Sequence, residues 1–387
     1  MQRILILGID GYIGYPLALH LLSLGYEVCG ADNYSRREVV RQAGGNSITP
    51  IAEASTRGNF LSSHKNFHDR IAYVTLSDTY IIDKVLEEYK PDTIVHLAEQ
   101  PSAPWSMKNV RLSCDTQREN VVGTLSLLWA MRNHCPDAHL LKLGTMGEYG
   151  TPSCDIPEGM IPRECLIERE AYCPMSGLPF PRSPGSFYHL SKVHDTHNII
   201  FACKTWNMRS TDIMQGVVFG VVDDYHTMPE LLTRLDYDQY FGTAINRFCA
   251  QAAIGHPLTI YGTGHQIRGF LPLVDSLQCL TLAIENPPEF GEYRTFNQFE
   301  HIYKIKDLAA TVQHFAHGHG LHAPIQLINN PRDELSVHHY NPAHQKLFDL
   351  GYEPSDPDAE IEKLLKVTTR YKDRINPDCI MPTTTWK

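Results

Sequence analysis

Residues 186–197 read SFYHLSKVHDTH. Tyr188 and Lys192 are four apart, so a helix puts them on one face. A free phenol titrates near 10 and is a poor base at neutral pH. An ammonium beside it favours the phenolate and is expected to lower that value. Such a pair suits removal of a proton from a sugar or alcohol hydroxyl while an oxidant takes hydride from the same carbon. His189 adjoins the phenol and, when free, titrates near neutrality, which makes it a candidate proton carrier. Thr145, in the run HLLKLGTMGEYG, is a candidate to hydrogen-bond the reacting hydroxyl, and Glu148 is a second proton carrier. Taken alone, Tyr-x-x-x-Lys is common on surface helices. Its meaning depends on what the rest of the chain can bind.

The elements that must position these residues begin at RILILGIDGYIG, residues 3–14. An apolar run meets Gly8, Gly11 and Gly14. YPLALHLLSLG follows, with leucines at helical spacing and Gly25 as a stop. YEVCGADN then reads as a second strand ending at Asp32. Strand, glycine turn, helix, strand and acid together describe a dinucleotide site. Glycines let the backbone approach a pyrophosphate, and the helix N-terminus offers unpaired N–H groups to it. Asp32 can accept hydrogen bonds from ribose hydroxyls and would repel a 2′-phosphate, which favours NAD over NADP. Arg36 and Arg37 follow and could hold either kind of phosphate.

The alternation continues. RIAYVTLSD is a strand ending at Asp78, TYIIDKVLEEYK a helix, and PDTIVHLAEQ a strand ending in Leu97, Ala98, Glu99 and Gln100. ENVVGTLSLLWAMRNH is a helix, and HLLKLGTMGEYG a strand with Thr145 at its end. This is the pattern of an α/β fold, a Rossmann-like doubly wound parallel sheet, with ligands beyond the carboxyl ends of the strands. A smaller C-terminal α/β substrate-binding domain is expected after it. The division places the nucleotide-binding domain at 1–216, with a returning segment about 267–290, and the substrate domain mainly at 217–387. YNPAHQKLFDLGYEP and DAEIEKLLKVTTRYKDRI read as closing helices.

The 387 residues carry a net charge of −10 with no basic stripe, so nucleic acid and anionic membrane are poor partners. No apolar run is long enough to span a bilayer. Ten cysteines without a C-x-x-C pair suit free thiols in a reducing cytoplasm. The cluster HGHGLH at 317–322 lacks a regularly spaced carboxylate or cysteine and reads as a turn; no metal site is expected.

The chain resembles the extended short-chain dehydrogenase/reductase family, and within it the UDP-sulfoquinovose synthase branch. The likeness is carried by LGTMGEYGTP (143–152), SFYHLSKVHD (186–195), QGVVFGV (215–221), RLDYD (234–238), FGTAINRFCAQAAIGHPLTIYG (241–262), FNQF (296–299) and IMPTTTWK (380–387). The resemblance implies bound NAD, a UDP-hexose substrate, sulfite as co-substrate, a homodimer built on the helix at 119–134, and a place in sulfolipid biosynthesis. It implies a triad of Thr145, Tyr188 and Lys192, with His189, Glu148 and Met146 close by. Met146 would be an apolar wall for the sugar.

For the cofactor, the resemblance implies Gly8, Gly11, Tyr12, Ile13, Gly14, Asp32, Asn33, Arg36, Asp78, Leu97, Ala98, Glu99, Asn120, Leu143, Gln215 and Val218, besides Tyr188 and Lys192. For the substrate it implies Gln100, Thr145, His189, Gln215, Arg234, Thr243, Arg268 and Arg332, the last two as guanidinium forks for the diphosphate.

The implied chemistry oxidises C4, acidifies the C5 hydrogen, expels the C6 hydroxyl, adds sulfite at the resulting alkene and restores C4. Two features qualify it. Thr145 is followed by Met and Gly, not by the Asp and Glu of nucleotide-sugar 4,6-dehydratases. The strand end reads E-Q-P-S-A-P, with Pro101 where the branch has an arginine. Alternatives are a 5,6-dehydratase that stops at the alkene, a 4-epimerase, and a non-catalytic NAD sensor. A Pro/Gly-rich loop, CPMSGLPFPRSPGS, is expected to overlie the sugar.

Overall fold

The computed structural model describes residues 2–68, 71–161, 178–222 and 228–386. Seven parallel strands form the main sheet: β1 (Arg3–Leu7), β2 (Glu27–Asp32), β3 (Ala72–Tyr73), β4 (Thr93–His96), β5 (His139–Thr145), β6 (Arg209–Gln215) and β7 (Tyr293–Gln298). Their order is 3-2-1-4-5-6-7. The connections therefore reverse between β1 and β4, and a crevice opens there at the carboxyl ends of the strands. The doubly wound fold expected from the alternation is present.

Alternation along β1 explains the two layers. Ile4 and Ile6 face the helices Gly14–Ser23 and Leu273–Glu285. Leu5 and Leu7 face the helices Thr79–Tyr89, Gly123–His134 and Phe187–Trp206. Side chains point to opposite faces in turn, and a strand covered on both sides is apolar throughout.

A second core lies beyond the sheet. The helices Ala244–Ala253, Ile305–Gly318 and Pro357–Arg370 pack there around Phe248, Leu308 and Leu364. Ile48, from the loop after β2, joins this core. A three-stranded sheet orders His301–Lys304, Ile267–Pro272 and Val217–Phe219, and Leu258–Tyr261 pairs with Ile325–Ile328. The chain returns to the main sheet as far as Gln298, in β7.

Three sequence expectations change. In the described part of the run 70–78, residues 71–78, only Ala72–Tyr73 is strand, and Asp78 instead caps the next helix, accepting the N–H groups of Tyr80 and Ile81. Of YNPAHQKLFDLGYEP, only Lys346–Asp349 is helical. The helix after β4 contains one wide turn, Arg118–Val122, before it resumes as Gly123–His134.

Candidate active site

The glycine turn packs too closely for side chains. Gly8 has φ +87°, and a Cβ on it would lie 2.9 Å from the Leu97 carbonyl. A Cβ on Gly14 would lie 2.2 Å from the Gly8 oxygen. The turn and the first helix are thus held against the end of β4. Asp32, at the end of β2, accepts the backbone N–H of Asp10 (2.8 Å) and of Tyr34 (2.6 Å). Burial pushes its carboxyl up to about 6. These features fit a dinucleotide, with the N-terminus of the first helix toward pyrophosphate and Asp32 toward ribose.

From this turn a cavity of about 840 Å³ runs to Arg332. It brings together Gly8, Gly11, Tyr12, Ile13, Gly14, Asp32, Asn33, Arg36, Leu97, Ala98, Glu99, Gln100, Leu143, Thr145, Tyr188, His189, Lys192, Gln215, Val218, Thr243, Arg268 and Arg332.

Five sequence candidates are not among its lining residues. Asp78 is an exposed helix cap. Asn120 sits in the wide helical turn; its amide holds the Gln100 backbone N–H (2.8 Å) and Ser191 Oγ (2.8 Å), so it braces the wall from behind. Arg234 is buried against Asp236. Met146 packs with Tyr149, Phe180 and Met214. Glu148 is buried beneath the end of β5, between Arg182 and Lys142.

Glu148 belongs to a charged cluster under the Tyr188 helix. Lys142 Nζ lies 3.2 Å from Asp212 Oδ2, 3.6 Å from Glu148 Oε1 and 3.1 Å from the Lys192 carbonyl oxygen. Burial opposes the charge on Lys142, but Asp212 and Glu148 outweigh it and hold the ammonium above its usual range. Burial raises the Glu148 carboxyl. Arg182 comes from the Pro/Gly-rich loop. From that loop Arg182 docks on Glu148 and Phe180 on Tyr149, and residues 179–186 are not among those lining the cavity; residues 173–177 lie outside the described residues.

The Phe187–Trp206 helix starts at Ser186, whose hydroxyl caps the backbone N–H of His189 and lies 3.0 Å from His189 Nδ1. The Tyr188 backbone N–H donates to Ser106 Oγ at 3.0 Å. Tyr188 and Lys192 both reach the cavity, yet Lys192 Nζ pairs with Glu99 Oε2. The phenol is pushed up, not down. Burial is the main cause, the Glu99 and Glu148 carboxylates add to it, and a hydrogen bond with Thr145 works the other way. His189 also departs from expectation. Burial, with Arg332 and Arg268 nearby, lowers it to about 3, so it is a neutral imidazole at physiological pH. Its ring lies over Gly147, where a Cβ would stand 2.4 Å from Nε2.

Among the described residues, four arginines line the cavity: Arg36, Arg247, Arg268 and Arg332. Arg36 pairs with Asp236 and stacks on Phe241, while Arg37 turns away to Asp10. Neither arginine is held for a 2′-phosphate. Arg268 pairs with Glu334. Arg247 donates to the Tyr261 hydroxyl at 2.6 Å. Thr243 Oγ1, Arg247 Nε and Arg332 Nε are buried without a hydrogen-bond partner among the described residues. Buried donors of this kind suit a polar, anionic ligand.

Sequence reasoning missed Thr75, Leu76, Trp105, Tyr240, Phe241 and Arg247, all on the cavity wall. Arg247, in the run FGTAINRFCAQAA, carried a readable signal: the one charge in an otherwise uncharged helix, Ala244–Ala253.

A parallel sheet of this order, with a glycine turn at its crossover and Tyr188 and Lys192 at the end of the crevice, defines a nucleotide-dependent short-chain dehydrogenase/reductase. The chain belongs to the NAD dependent epimerase/dehydratase family, whose model matches residues 4–297. It is 44% identical over its whole length to the chloroplastic UDP-sulfoquinovose synthase of Spinacia oleracea, covering 79% of that protein. It is 40% identical, again over its whole length, to UDP-sulfoquinovose synthase of Sulfolobus acidocaldarius, covering 98% of it. Among solved structures, UDP-glucuronic acid 4-epimerase from Bacillus cereus, in complex with UDP-glucuronic acid and NAD, shares the fold. The TM-score is 0.69 at 19% identity, over 95% of this chain and 99% of that one.

Proposed function

We propose that this NAD-dependent enzyme converts UDP-glucose and sulfite into UDP-sulfoquinovose. The observation that carries the reading is full-length identity of 44% and 40% to two synthases of that name. A site feature agrees with it. The strand end Thr145-Met146-Gly147-Glu148 offers the cavity no carboxylate, because Glu148 is buried with Arg182 and Lys142. An acid–base pair for ordinary 4,6-dehydration is thus missing at this point.

The glycine turn, Asp32, Asn33 and Thr75 would hold the adenosine half of NAD, and Lys192 and Gln215 the other half. When bound, NAD supplies reversible hydride acceptance at the sugar carbon. Tyr188, hydrogen-bonded to Thr145, removes the C4 hydroxyl proton and later returns it. His189 acts at C5 and C6. The tautomer with its proton on Nδ1, toward Ser186 Oγ, leaves Nε2 as an acceptor that can take a proton from a carbon next to a ketone. Arg268, Arg332 and Arg247 hold the diphosphate. Trp105, Tyr240 and Phe241 exclude water beside the sugar.

Pro101 favours a second reading, a 5,6-dehydratase that stops at the alkene. Pro101 lines the cavity with neither charge nor N–H to offer an anion. Incubation with UDP-glucose, with and without sulfite, separates the two by mass spectrometry. A sulfonated product supports the synthase, loss of water alone supports the dehydratase, and an isomer of unchanged mass points to an epimerase.

The reading includes a homodimer. Val122, Leu125, Trp129 and Phe201 are exposed on the two helices Arg118–His134 and Phe187–Trp206. It also includes a reducing, cytoplasmic setting, since the eight described cysteines are free thiols. No helix among the described residues is long and apolar enough to cross a membrane.

A further inference from the structure

We propose that Trp386 is a positioning residue that ties the substrate-side arginine Arg332 to the start of the helix bearing Tyr188 and His189. The inference rests on the nucleotide-sugar reading of the cavity. Trp386 forms a parallel bridge with Arg332, and its backbone N–H donates to the Pro331 carbonyl at 3.0 Å. The Arg332 guanidinium lies 5.8 Å from the centroid of the Trp386 ring and 5.8 Å from that of Tyr261. A cation at this distance from two aromatic faces is held in place while its N–H groups stay free to bind an anion. Arg332 Nε has no hydrogen-bond partner among the described residues.

The other side of the indole points to the catalytic helix. Trp386 Nε1 donates to the Gly185 carbonyl at 3.2 Å. Gly185 directly precedes Ser186, the cap that also touches His189 Nδ1. One side chain thus joins the arginine loop at 329–336 to the helix cap, two pieces that are far apart in sequence and meet at the sugar. The preceding residues anchor it: the Thr383 backbone N–H and hydroxyl both donate to Gln239 Oε1, next to Tyr240 on the cavity wall.

The test compares wild type, Trp386→Ala and Trp386→Phe with UDP-glucose as substrate, alongside NAD affinity and thermal stability. Trp386→Ala is expected to raise KM about tenfold, with kcat changed less than about threefold and NAD affinity unchanged. Trp386→Phe keeps an aromatic face under Arg332 but has no N–H for Gly185, and an intermediate KM is expected. A KM within about twofold of wild type in both variants overturns the proposal, whatever happens to the melting temperature. Should the alanine variant not fold, an unchanged KM in the phenylalanine variant overturns the tie to Gly185. A wild-type protein that neither binds nor turns over UDP-glucose overturns the nucleotide-sugar reading instead.

Discussion

Lys192 Nζ lies 2.5 Å from Glu99 Oε2, and both side chains are almost wholly buried. The spacing of Tyr188 and Lys192 on one helix suggested an ammonium serving the phenol. The end of β4 instead supplies a carboxylate that takes the ammonium for itself and also raises the phenol. Replacing Glu99 by Gln removes a negative charge near Tyr188 and releases Lys192 toward it. Both changes favour the phenolate. A group that must lose its proton to act as a base gives a rate that climbs with pH through its pKa. Lowering that pKa moves the climb to lower pH. The kcat–pH profile of Glu99→Gln is expected to shift acidic by about one unit. A shift in the alkaline direction would refute the role given to Glu99.

Tyr188→Phe keeps the ring and loses the acid–base group. A fall in kcat of about 10²- to 10⁴-fold is expected. NAD titration should still show binding, because the glycine turn and Asp32 are untouched. A variant that retains near-normal turnover would remove the phenol from the chemistry.

Asp32 makes cofactor binding pH-dependent. Its carboxyl is pushed up to about 6 by burial. The ionised form accepts ribose hydroxyls, whereas the protonated form offers a weaker acceptor. NAD affinity is therefore expected to be full above pH 7 and to weaken as pH falls through 6. Calorimetric titrations across that range check it. In Asp32→Asn the dependence should vanish; a wild-type affinity flat from pH 7.5 to 5 would assign the ribose contact elsewhere.

Glu148 is a structural ion in this arrangement. Its removal in Glu148→Ala leaves Lys142 and Arg182 buried with fewer partners, at a cost of about 3–5 kcal/mol of stability. Denaturant unfolding measures this directly. If stability is unchanged while kcat collapses, Glu148 takes part in proton transfer after all.

How much of this could be read from the sequence differs by element. The crossover was legible because each part obeys a local rule: an apolar strand, glycines at a close approach, leucines at helical spacing, then Asp32. The strand end at Thr145 and the helix at Tyr188 were legible for the same reason. The charged layer beneath them was not assigned. Lys142 breaks the apolar strand HLLKLG, a sign of a buried ion, whereas Asp212 sits in the mostly polar run RSTDIMQ and carries no such mark. Only the pairing of β5 with β6, which sets Lys142 opposite Asp212, joins them. Asp78 is ambiguous in sequence because an acid after a strand looks the same whether it meets a ligand or caps the next helix, as Asp78 does. The aromatic wall of Trp105 and Tyr240 depends on a contact between distant loops, where Ser102 Oγ donates to the Tyr240 carbonyl at 2.7 Å. No local pattern announces such a contact.

The central assignment is reversible oxidation at C4 of a UDP-hexose beside Tyr188. Turnover of UDP-glucose carrying deuterium at C4, with sulfite present, tests it most directly. A sulfonated product that keeps the label at C4, formed more slowly than from unlabelled substrate, is expected. Loss of the label to solvent would contradict return of the same hydride to C4, and a rate indifferent to the label would contradict cleavage of the C4–H bond.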